Sequence, residues 1–132
     1  MMTAVDRADL CRRLEPTLLA IAEDRTGVAL RELRPRRDDY PLVFAAAAVG
    51  PAMGRYEALW AGPLDFRHPE PTARAEIALM PATDETIFVP DRVWASWRYV
   101  IPGQTAGLFY DGLAWCDDHW AWFPKPYRLR GR

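Results

Sequence analysis

The most reactive-looking run in the chain is Cys116-Asp117-Asp118-His119. A thiol three residues from an imidazole could form a nucleophile and its general base, with an aspartate to orient the ring. His119, Asp117 and Cys116 are therefore the candidate catalytic residues, His119 as the base. The spacing limits how this can work. Neighbours on an extended strand point to opposite faces, so Cys116 and His119 share a side only if the segment turns. The same four residues also read without chemistry, as a strand end, a polar turn and a turn histidine, because aspartates favour turns by bonding to nearby backbone.

Other chemistries find less support. Asp117, Asp118, His119 and His68 offer oxygen and nitrogen donors. With two histidines and neither His-x-x-x-His nor Cys-x-x-Cys, there is no zinc signature. Neither Asp84-Glu85 nor Asp117-Asp118 has the stagger of a calcium loop. The expectation is no metal and no cofactor. Phosphate-binding glycine loops and nucleophile elbows are absent from the sequence. The carboxylates Glu57, Asp65, Glu70, Glu76, Asp84 and Asp111 are scattered. Glu76 lies in an alternating run whose other face carries Ile77 and Leu79, so it is expected to face solvent.

Five of the six tryptophans fall between Trp94 and Trp122. Trp, Tyr and Arg dominate protein interfaces, which makes Trp120, Trp122, Asp117, Asp118, Arg98 and Trp115 the candidate binding residues. Trp120 and Trp122 flank Ala121 on one face of a short strand. A domain of this size comfortably buries about three tryptophans, so these two are the ones expected at the surface. Acidic charge beside aromatic surface suits a basic target. The leading functional reading is a small protein-interaction module with a protein partner, a basic one; the same surface could instead make a homodimer. The alternative is a small enzyme or ligand-binding domain, its pocket lined by Trp94, Trp97, Tyr99, Phe109 and Tyr110 and served by the Cys/Asp/His cluster. In size and composition the chain resembles bacterial immunity proteins, which cover the active sites of toxins. That likeness implies an inhibitor and rests on no motif.

The bulk composition narrows the class. At 132 residues, with 50% hydrophobic and 27% charged side chains, the chain is one globular domain that needs no staple. A net charge of -1 argues against a nucleic-acid partner. Lys125 is the only lysine among 17 basic residues, which looks like a GC-rich bacterial coding bias. No apolar run approaches the roughly 20 residues of a membrane span, and no secretory leader is visible after Met1. The expected location is cytoplasmic, with Cys11 and Cys116 reduced.

The elements that position these groups follow from periodicity. Leu10, Cys11, Leu14, Leu18, Ile21 and Ala22 make one face of a helix over 4–25, capped by Thr3 or Asp6, with room for a kink at Pro16 and with Gly27 beyond its end. Val28–Arg37 predicts a strand running into a solvated charged loop through Asp39. Leu42–Val49 fits a buried strand, with helix open, and Arg55–Ala61 alternates as a strand. Arg74–Met80 and Thr86–Val89 predict a hairpin. Asp91–Ile101 fits strand or helix, and the Pro90-Asp91 lead-in tips it to helix. Asp111-Gly112 predicts a hairpin turn between Ala106–Tyr110 and Leu113–Cys116. Trp120–Phe123 predicts a last short strand, and 124–132 a frayed basic tail. The sum is an α+β fold, an N-terminal helix on a mostly antiparallel sheet of five or six short strands, with one further helix near 91–101.

Overall fold

A computed structural model describes residues 3–24, 27–45, 54, 56–58, 73–81, 87–103 and 107–126. Helix α1 spans Ala4–Glu23 and runs through Pro16. Its start is a reciprocal cap: the Thr3 hydroxyl accepts from the Asp6 N–H, and the Asp6 carboxylate accepts from the Thr3 N–H. This satisfies two donors that a helix N-terminus otherwise leaves open. Leu14, Leu18 and Ala22 are buried along one stripe, and Leu10, Cys11 and Ile21 pack at its margin.

That stripe lies on a four-stranded antiparallel sheet in the order β1 (Arg74–Pro81), β2 (Val93–Val100), β3 (Gly107–Trp115) and β4 (Trp120–Trp122). The α+β class and the helix-on-sheet arrangement follow the sequence expectation, with four strands among the described residues against the expected five or six. The face beneath α1 carries Ala75, Ile77, Trp97, Tyr99 and Tyr110. The Tyr99 hydroxyl donates to the Ala22 carbonyl at 2.5 Å and accepts from the Trp97 indole N–H at 3.2 Å. Trp97 stacks on Tyr110 with centroids 5.7 Å apart. Such aromatic pairs add about 0.5–1.5 kcal/mol each beyond area burial.

On the opposite face, one end of the sheet is covered by a second aromatic group. Tyr40, Phe44, Trp94 and Phe123 meet edge-on or tilted at 5.1–5.9 Å. Tyr40 and Phe44 come from α3 (Tyr40–Val43) and the residue after it. Before them lie α2 (Val28–Arg31), which begins after Gly27 at φ 72°, and a 3-10 turn over Arg37–Asp39.

Several local expectations are corrected. Val28–Arg37 is not a strand: the Asp24 carboxylate accepts from the Ala29 N–H at 2.8 Å and starts a helical turn there. Leu42–Val49 opens with the end of α3; residues 46–49 lie outside the described residues. Phe44 bridges to Phe88, so the 86–89 run pairs there, while β1 takes β2 as its neighbour. Among the described residues no pairing joins 74–81 to 87–89, where Phe88 bridges to Phe44 instead of completing the expected hairpin. Residues 56–58 are helical, consistent with the helix propensity of Glu57 and Ala58. The 91–101 segment is strand: Trp97 and Tyr99 are buried, Ser96 and Val100 half-buried and Arg98 exposed, a period of two. Asp91, at φ 67°, is no helix cap.

Asp111-Gly112 does not turn the chain. β3 runs through it, and the pairing steps from Ser96 opposite Asp111 to Ala95 opposite Leu113, leaving Gly112 as an extra residue. Gly112 has φ 93°. A bulge built on a left-handed glycine and a two-residue hairpin turn both use positive φ, so Asp-Gly serves either.

Candidate functional site

The true reversal between β3 and β4 is the run Cys116–His119. The Cys116 N–H donates to the His119 carbonyl and the Asp118 N–H to the Cys116 carbonyl, both at 2.8 Å. Asp117 takes φ 68°, a conformation that aspartate tolerates better than most residues. The turn that Cys116 and His119 need in order to share a side is therefore formed.

A residue 80 positions away completes the cluster. Asp39 is 3% exposed, which corrects the reading of its segment as a solvated loop. One carboxylate oxygen, Oδ2, accepts from the Arg36 N–H at 2.9 Å. The other, Oδ1, lies 2.8 Å from His119 Nε2, while His119 Nδ1 bonds the Asp118 carboxylate. A neutral imidazole has one N–H and can donate to only one of these carboxylates; the imidazolium donates to both. The bond to Asp118 is the main reason the His119 pKa lies above its usual value; burial opposes it, and the bond to Asp39 adds a lesser upward effect. The same bond lowers the Asp118 pKa.

Cys116 lies beside them at 1% exposure. Burial, and then the Asp39 charge, push its thiol up to about 12. At neutral pH it is a protonated thiol, the opposite of what a cysteine nucleophile requires. Alkylation of the native protein at neutral pH should accordingly modify Cys11, which is half-buried, before Cys116. Mass mapping of the labelled peptides checks this, and rapid labelling of Cys116 would contradict the buried, protonated thiol.

The other candidate residues separate into two groups. Trp120 and Trp122 are 5% and 4% exposed, a correction to their expected place at the surface. Their indoles have partners: Trp120 Nε1 donates to the Thr17 hydroxyl at 3.2 Å and Trp122 Nε1 to the Asp111 carbonyl at 2.9 Å. Trp115 is half-buried against Trp120. Asp117 and Asp118 remain at the surface, with side chains 65% and 87% exposed, and Arg92 pairs with Asp117. Arg98 sits farther along β2, opposite Phe109 and beside Glu76, to which it is bonded at 2.7 Å. Glu76 is exposed as expected. Trp97, Tyr99 and Tyr110 pack beneath α1, whereas Phe109 is exposed on the other face, so the five residues expected to line a pocket do not share one. His68 lies outside the described residues.

Asp39 is the functional candidate that local sequence reading misses. Its only local sign is Arg36-x-x-Asp39, a capping geometry in which the carboxylate reaches back to the Arg36 N–H. Comparison of the chain with protein-family models, curated proteins and solved structures gives no match. No helix among the described residues is long and apolar enough to cross a membrane.

Proposed function

We propose that the protein is a small interaction module that presents the β3–β4 turn, with Asp117 and Asp118 at its tip, to a basic surface on a protein partner. An inhibitor that covers a basic functional site on its target is the form of module that size and composition suggest. The observation that carries this reading is the exposure of both carboxylates on a turn held from behind by buried groups. Asp39 fixes His119, His119 fixes Asp118, and two backbone bonds close the loop. A turn already ordered loses little conformational freedom when a partner docks. Arg92 offsets part of the charge on Asp117 and His119 part of that on Asp118, so the two carboxylates act as a partly neutralised pair at the tip.

Charges at the edge of an interface act mainly on association rate and salt dependence. The test is recovery of a stoichiometric partner from the native cells at low salt, followed by binding of the purified partner. Asp117→Asn combined with Asp118→Asn should slow association about tenfold at low salt and flatten its salt dependence. Recovery of no stoichiometric partner, or equal binding by the variant at every salt concentration, would sink the reading.

A further inference from the structure

We propose that Asp39, Cys116 and His119 form a binding site for a divalent transition ion of the zinc class. One donor atom from each lies within 4.8 Å of the other two. The donor set is one carboxylate oxygen, one sulfur and one imidazole nitrogen, which suits zinc or cobalt and is too soft for magnesium or calcium. Around a tetrahedral ion, oxygen and nitrogen donors stand about 3.3 Å apart. Asp39 Oδ1 and His119 Nε2 are now 2.8 Å apart, so they need to part by about half an ångström.

The surroundings are those that orient metal ligands. His119 would bind through Nε2, and its Nδ1 is already held by Asp118. A carboxylate on the far ring nitrogen is the usual outer partner of a metal-bound histidine. Asp39 likewise has its second oxygen fixed by the Arg36 N–H. Two of the three ligands therefore have their rotamers set before any ion arrives. Charge also balances. Binding releases to solvent the Cys116 thiol proton and the proton on His119 Nε2; the resulting thiolate and the Asp39 carboxylate neutralise the divalent cation, so the largely buried site would carry no net charge once loaded. His119 is the most exposed of the three, and the carboxylates of Asp117 and Asp118 provide a negative approach on that side. Three protein ligands leave a coordination position for solvent or an outside donor.

The experiment uses the full chain after removal of metal with a chelator, titrated with Co²⁺ and then Zn²⁺. A single cobalt ion should bind with the strong visible absorption of a tetrahedral site and a thiolate charge-transfer band in the near ultraviolet. Zinc should displace it. Cys116→Ser should remove the charge-transfer band. Asp118→Asn, which only orients the ring, should keep the band and weaken zinc by about 10–100-fold. Cys11→Ser should change nothing. Absence of saturable cobalt binding, a weak six-coordinate spectrum without the thiolate band, or a band retained in Cys116→Ser would overturn the assignment. The wild-type spectrum decides the matter even if the Cys116 variant fails to fold, and it does so independently of any protein partner.

Discussion

Gly112→Ala is expected to destabilise the protein by about 4 kcal/mol. Two effects combine. A residue with a side chain at φ 93° is strained by about 1–2 kcal/mol. The added methyl carbon would also lie 2.0 Å from the Phe123 carbonyl oxygen and 2.7 Å from its carbon. Those are backbone atoms and cannot rotate aside. The strand end must shift, and with it the bond from the Phe123 N–H to the Gly112 carbonyl and the fully buried Phe123 ring. Gly103 supplies the control. It has φ 85° and open space around the same position, so Gly103→Ala should cost only the strain. Urea unfolding followed by tryptophan fluorescence gives the difference. If the two variants fall within 1 kcal/mol of each other, about the cost of the strain alone, the close approach of β4 to the bulge is wrong.

His119→Ala should destabilise the metal-free protein by about 2–3 kcal/mol at pH values below the ordinary histidine range. The loss arises less from the missing bond than from what stays behind. Asp39 would remain buried, with the Arg36 N–H bond but without its His119 partner. Asp39→Asn should therefore reduce the cost of His119→Ala, and a double-mutant cycle reads the coupling directly. The pH dependence has a definite sign. The folded-state pKa of His119 is raised above its unfolded value of 6.5. Its contribution is fully present below that unfolded value and is lost as pH rises through the folded pKa. The stability gap between wild type and His119→Ala, measured with a chelator present, should narrow as pH rises above neutrality. A gap that widened would mean that His119 is not held as the imidazolium.

What the sequence made legible was whatever depended on neighbours close along the chain. The apolar stripe of α1, Thr3 as one of the two caps considered for its start, the alternation of β1 and the outward Glu76 all read correctly. The Asp-Gly of β3 announced positive φ without saying whether the chain reverses or bulges. The 91–101 segment satisfied two periods, and its pairing with both β1 and β3 chose between them, a choice no local pattern contains. Trp120 and Trp122 were placed at the surface because too many tryptophans seemed to compete for one core. The fold instead builds aromatic layers on both faces of the sheet and finds an acceptor for each of these two indoles. The candidate site divided in the same way. Cys116 to His119 was visible as one run, whereas Asp39 entered through a contact spanning 80 residues.

The bond from Trp120 to Thr17 joins positions 103 residues apart, and that separation bears on how the chain is made. At ribosomal rates of about 5–20 residues per second, Thr17 emerges about 5–20 s before Trp120, whereas β1 and β2, which lie beneath the apolar stripe of α1, follow the helix sooner. Until β1 and β2 have emerged, Leu14, Leu18 and Ala22 have no sheet to rest on. The first helix synthesised makes its last side-chain bond only when β4 arrives. During birth of the protein its greasy side is available to chaperones, and a chain halted before β1 would leave the ribosome with that side still uncovered.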